Sequence, residues 1–159
     1  MDAFDQIIGL VLQNEGGYRD DPNDAGRATN YGISQAQYPN LDIKNLTVNQ
    51  AKAIYRTDYY NTMGLFRLDS PAVQYYVLDT GVNAGPGTAV MMLQEAVHLP
   101  QDGSLGPITA QAVNTCDEHG LLDRLIELRM KHYVSLVIAD PQKKLGSLSG
   151  WTNRTFITL

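Results

Sequence analysis

The stretch from Asn14 to Ser34, NEGGYRDDPNDAGRATNYGIS, sets one carboxylate, Glu15, at the end of an amphipathic segment and follows it with two glycines. Phe4, Ile7, Ile8, Val11 and Leu12 recur at i, i+3, i+4, i+7 and i+8, the pattern of a helix with one buried face. Asp2 is its candidate N-cap, and Asp5 suits the first turn. Glu15 lies one helical turn beyond Val11 and Leu12, on or beside the apolar stripe. Gly16 or Gly17 can supply the left-handed residue that stops the helix, and the other glycine leaves open space beside the carboxylate. Partial burial and the negative end of the helix dipole both favour the neutral carboxyl. A general acid working near neutral pH needs that form, because an ordinary glutamic acid, at about 4.3, is already ionised. The plainer reading of a glutamate near a helix end is a solvated residue or half of an ion pair.

The loop that follows is dense in Gly, Asn, Asp and Pro, and brings Tyr18, Asp20, Asp21, Asp24, Thr29, Asn30 and Tyr31 back toward Glu15. Asp21-Pro22-Asn23-Asp24 is a turn sequence, and alternating Thr29, Tyr31 and Ile33 suggest a short hairpin. Gly32 permits a close backbone approach. Asp20 and Asp21 read as turn or surface residues.

EGGY, then DPND, then G-x-ATNYGIS resemble the N-terminal signature of glycoside hydrolase family 108, the lysozymes that many phages use as endolysins. Glu15, Gly16, Gly17, Tyr18, Asp21, Pro22, Asp24, Gly26, Thr29, Tyr31, Gly32 and Ile33 all fall where that pattern expects them. The resemblance implies a lysozyme-like fold with Glu15 as catalytic acid. It also implies hydrolysis of the β-1,4 bond between N-acetylmuramic acid and N-acetylglucosamine in bacterial peptidoglycan. One departure is Arg27, where the family pattern has a second glycine; it either decorates the loop tip or alters contact with anionic wall groups. Such a hydrolase needs a second group to hold or deprotonate water, and in an inverting enzyme the two carboxyls stand roughly 6.5–9.5 Å apart. Asp24 is the first candidate, with Thr29 orienting the same water; an Asx-turn capping the loop is the competing role for Asp24. Tyr18 and Asn30 are candidate substrate contacts in the same loop.

Thr47 reads as the N-cap of a helix running through VNQAKAIYRTDYYN, with Val48, Ala51, Ile54, Tyr55 and Tyr59 on one side. Tyrosine offers a flat apolar face and a polar edge, as a sugar cleft requires. Tyr59 and Tyr60 are the candidates for lining it, whereas Tyr55 packs inside. Ser70 and Pro71 start a helix over 72–83 that is apolar on nearly every side, hence central and buried. Asp79 and Asn83 on that helix need hydrogen-bond partners; Asn83 alternatively reaches a sugar N-acetyl group. Pro86–Val97 and the run from Pro107 to Val113 read as helices joined by the glycine-dependent loop DGSLGP.

LQEAV, DGSLGP and QAV resemble the peptidoglycan-binding region that follows the catalytic segment in this family. Leu121, Leu122, Leu125, Leu128, Tyr133, Leu136 and Val137 then describe a long helix ending before Asp140-Pro141. Arg124 and Arg129 on it reach nearby carboxylates or, by default, form surface pairs. The tail GWTNRTFITL resembles the family's closing segment, with Trp151 as a core anchor. The expected architecture is mainly α, a lysozyme-like helical bundle with a small N-terminal β-hairpin and loop element. Residues 1–85 form a catalytic segment and 86–159 a helical segment packed on it, together one domain.

A net charge of −5 argues against a nucleic-acid binder. Cys116 is the only cysteine, and His98, His119 and His132 lack metal-ligand spacing, so no metal or cofactor is expected. The acidic start MDAFDQ lacks a secretory pattern, and no apolar run approaches the ~20 residues of a membrane span. The expectation is a monomer that accumulates in the cytoplasm of its producing cell and reaches the wall through a holin or a secretion apparatus. Two alternatives stand: a lytic transglycosylase on the same bond, and a non-catalytic wall-binding or phage structural module.

Overall fold

The apolar stripe of residues 4–12 forms helix α1, Ala3–Glu15, in a computed structural model that describes residues 2–20 and 28–156. Asp2 caps it, its carboxylate accepting the Asp5 N–H at 2.9 Å. Phe4, Ile7, Ile8, Val11 and Leu12 are all buried, each contributing up to about 1.5–3 kcal/mol relative to exposure. Gly16 ends the helix with φ +76°, a conformation that glycine adopts without steric cost.

Three short antiparallel strands follow: β1 (Arg19–Asp20), β2 (Ala28–Asn30) and β3 (Ile33–Ser34), in the order β1-β2-β3. Asn30 pairs with Ile33, so Tyr31 and Gly32 form a two-residue hairpin turn. Both have positive φ, +52° and +75°, as the primed turns that match strand twist require.

Thr47 and Gln50 form a reciprocal capping box that opens α2, Val48–Tyr55. The run expected to continue as one α-helix instead widens into a π-helical segment, Arg56–Asn61. There Tyr60 faces inward, edge-on to Phe4 with ring centroids 5.1 Å apart. A 3-10 turn, Leu65–Arg67, leads to α3, Pro71–Ala84, whose first turn is capped by the Ser70 hydroxyl.

Helix α3 is the axis of the fold. It is buried from Val73 through Gly81 and packs on α1 and, through the sharp turn at Gly85, on α4 (Pro86–Ala96). Helix α5 (Pro107–Asn114) follows a loop held by the Gln94 amide, which donates to Asp102 at 2.6 Å and to the Ser104 carbonyl at 3.0 Å. The long α6, Glu118–Ala139, is capped by Asp117 and packs on α3 and α4. After the short α7 (Pro141–Lys144), α8 (Leu148–Thr155) folds back onto α6. One hydrophobic cluster runs from Phe4 to Leu125. The architecture is thus the mainly α, lysozyme-like arrangement with a small sheet. No helix of the described residues is long and apolar enough to cross a membrane.

Candidate active site

Glu15 sits where α1 stops, its side chain only 14% exposed. The hairpin turn closes over it: a Cβ on Gly32 would collide with Glu15 Oε2, with the Tyr55 hydroxyl at 2.7 Å and with Glu15 Cγ at 2.8 Å. Position 32 therefore requires glycine twice, for its backbone angle and for the space the carboxylate occupies. Tyr55 donates to the Tyr31 carbonyl at 2.8 Å and so ties the turn to α2. Burial and then the nearby Glu15 charge push the Tyr55 phenol far up, so it remains a neutral donor. A hollow of about 410 Å³, lined by residues including Leu12, Gly16 and Tyr31, adjoins this end of α1.

The carboxylate has a partner that local pattern did not indicate. Arg154 of α8 donates through Nη2 to Glu15 Oε1 at 2.6 Å and to Asp79 Oδ1 at 2.8 Å. Asp79 also accepts from Arg129 Nη2 at 2.7 Å and from the Asn14 amide at 3.3 Å. Burial alone raises the Asp79 carboxyl, but the hydrogen bonds and charges of Arg154 and Arg129 outweigh it and hold it below its ordinary value. Burial likewise works against the Arg154 charge, yet Asp79 and Glu15 keep it raised. Two acidic side chains and two guanidiniums thus form a chain, Glu15–Arg154–Asp79–Arg129, that runs into the core. Arg129, for which a surface pair was the default expectation, is 1% exposed; the Asp79 charge offsets its desolvation.

The other sequence-indicated residues divide into groups. Thr29 lies in β2 opposite Arg19 and Ser34, two residues from the Tyr31–Gly32 turn. Asp24, together with Asp21 and Arg27, lies outside the described residues. Tyr18 is 41% exposed, its hydroxyl 3.4 Å from Asp20. Tyr59 is half-buried against Tyr55 and accepts from Gln37 at 3.3 Å. Asn30 is buried and donates to the Ile43 carbonyl at 3.1 Å, anchoring the hairpin to the following segment. Tyr60 is 5% exposed and donates to Gln74 at 2.7 Å, so its hydroxyl is spent inside the core. Asn83 accepts from Tyr133 at 2.7 Å, and Tyr133 stacks on Trp151 with centroids 4.9 Å apart. Trp151 therefore anchors α8 to α6. Arg154 and Tyr55, which sequence reasoning did not connect to Glu15, meet it only through the fold; GWTNR contains the arginine but does not indicate its partner.

A glutamate sheltered at a helix end beneath a glycine-bearing hairpin, in an α-rich fold, is a place where a glycosidase can hold a proton donor. Residues 8–85 match the family model Glycosyl hydrolase 108, and residues 88–156 match the model described as Predicted Peptidoglycan domain. The fold is similar to a solved structure titled Structure of Brucella abortus SagA, with TM-score 0.74 and 31% identity over 96% of this chain and 92% of that one. No curated protein matches the chain. The chain belongs to the glycosyl hydrolase 108 family: it is a glycoside hydrolase whose substrate class is peptidoglycan.

Proposed function

We propose that the protein is a muramidase, hydrolysing the β-1,4 bond between N-acetylmuramic acid and N-acetylglucosamine with Glu15 as its single general acid. The observation that carries this reading is the seat of Glu15, 14% exposed at the end of α1 and packed beneath Gly32. Glu15 gives its proton to the leaving glycosidic oxygen as that bond breaks. In an inverting reaction, Asp24 and Thr29 hold a water that attacks the opposite face of the oxocarbenium-like carbon; the water's proton passes to Asp24 and its oxygen forms the new hydroxyl. Of the candidate contacts, Tyr18, Tyr59 and Asn83 retain surface for sugar contact, whereas Asn30 and Tyr60 are buried and brace the site from behind.

The biological role assigned with this reading is bacterial cell lysis, as an endolysin that a holin or a secretion apparatus delivers to the wall. Mass spectrometry of digested sacculi tests the chemistry. A muramidase leaves reducing N-acetylmuramic acid ends, one water heavier than the anhydro ends of a lytic transglycosylase.

A further inference from the structure

We infer that Arg154 is a positioning residue for the general acid, so that the C-terminal segment completes the active site instead of serving only to hold the wall. The inference rests on Glu15 being the acid. Glu15 belongs to the segment matched by the hydrolase model and Arg154 to the segment matched by the peptidoglycan model. Nη2 of Arg154 nevertheless meets both Glu15 Oε1, at 2.6 Å, and Asp79 Oδ1, at 2.8 Å. Its guanidinium is 16% exposed, so the contact is sheltered and not a loose surface pair.

The anchoring behind Arg154 is what a positioning role needs. Asp79, 1% exposed, is fixed from its other oxygen by Arg129, and Arg129 Nε donates to the Tyr133 hydroxyl at 2.8 Å. Tyr133 in turn stacks on Trp151, one turn before Arg154 on α8. The guanidinium is therefore held at its base by α8 and at its tip by α3: Nη2 bridges Glu15 and Asp79, while Nε donates to the second Asp79 oxygen at 3.4 Å, so the planar fork seats on Asp79. The carboxyl oxygen on Arg154 is Oε1, while Oε2 is the one against Gly32. Clamping one oxygen fixes the direction of the other, and misplacement of a catalytic group by about 1 Å costs on the order of 100-fold. When Glu15 has delivered its proton, the carboxylate left behind already has its counter-ion.

The test compares full-length wild type, Glu15→Gln, Arg154→Gln and Arg154→Lys on purified sacculi, measuring kcat and KM, pull-down onto the same sacculi, and thermal melting. Arg154→Gln is expected to lower kcat about 10- to 100-fold with KM and pull-down unchanged. Arg154→Lys, which keeps the charge but not the fork, is expected to fall between Gln and wild type. Wild-type kcat in Arg154→Lys and Arg154→Gln, or a KM effect with kcat intact, overturns the inference. Should Arg154→Gln not fold, Arg154→Lys decides alone: an intermediate kcat supports the inference and a wild-type kcat ends it. Activity surviving in Glu15→Gln defeats the underlying reading instead, which keeps the two failures distinct.

Discussion

Arg154 and Glu15, 139 residues apart in sequence, meet at 2.6 Å where α1 stops. The two chain ends therefore converge on one carboxylate, and α3 stands between them with Asp79 as the common acceptor. This topology explains why the glutamate at the end of the first helix needs the whole chain folded behind it. The hairpin supplies the roof, α2 the tyrosine that ties the roof down, and α8 the cation.

The roof makes a sharp demand on position 32. Gly32→Ala places a methyl where Glu15 Oε2 and the Tyr55 hydroxyl lie, and in a backbone angle that costs a non-glycine residue about 1–2 kcal/mol. Activity on sacculi is expected to fall by at least about 10-fold while circular dichroism shows an intact helical fold. Wild-type kinetics in this variant would show that Glu15 does not depend on the turn.

Asp79 is the stability centre of the ionic chain. Asp79→Asn leaves Arg129, 1% exposed, without its counter-charge, and breaking such a buried pair typically costs about 3–5 kcal/mol. Urea denaturation at pH 7 should report that loss as a lower midpoint with an unchanged slope. A loss below about 1 kcal/mol contradicts the assignment.

Acid should reveal the same group. The folded-state value of Asp79 is lowered from 3.8, so its contribution is fully present above that value and is lost as pH falls through the lower folded-state value. Wild-type stability is thus expected to drop below about pH 4, and the gap between wild type and Asp79→Asn should narrow there. A gap of constant size from pH 7 to pH 3 would assign the acid sensitivity to other carboxylates.

Tyr60 separates a cleft role from a core role. Its hydroxyl donates to Gln74, whose amide is committed to the Leu68 carbonyl, so Tyr60→Phe strands a buried acceptor at a cost of about 1–3 kcal/mol. Melting should fall by several degrees, at about 2–4 °C per kcal/mol for a chain of this size, with KM unchanged. A raised KM at unaltered stability would return Tyr60 to the sugar cleft.

Much of this was legible in the chain because the relevant signals are local. Asp2, Thr47 and Ser70 each cap the helix their position indicated, and the stripe from Phe4 to Leu12 is buried as its period required. Glu15 could be singled out because the glycines beside it mark both a helix end and open space. The ionic chain was not legible, because a partner 139 residues away leaves no periodicity to read. The π-helical segment was equally hidden: RTDYYN has ordinary helical composition, and only the widened turn sends Tyr60 inward while Tyr59 stays half-buried. Arg129 resembles any arginine on an amphipathic helix until Asp79 is brought opposite it.

The central claim, that the Glu15 carboxyl protonates the departing sugar oxygen, is tested most directly by Glu15→Gln on purified sacculi with the released fragments analysed by mass spectrometry. The side chain keeps its shape and loses its transferable proton, so hydrolysis should fall by about 100- to 10,000-fold while binding to sacculi persists. Release of reducing muropeptides by Glu15→Gln at the wild-type rate would contradict the account.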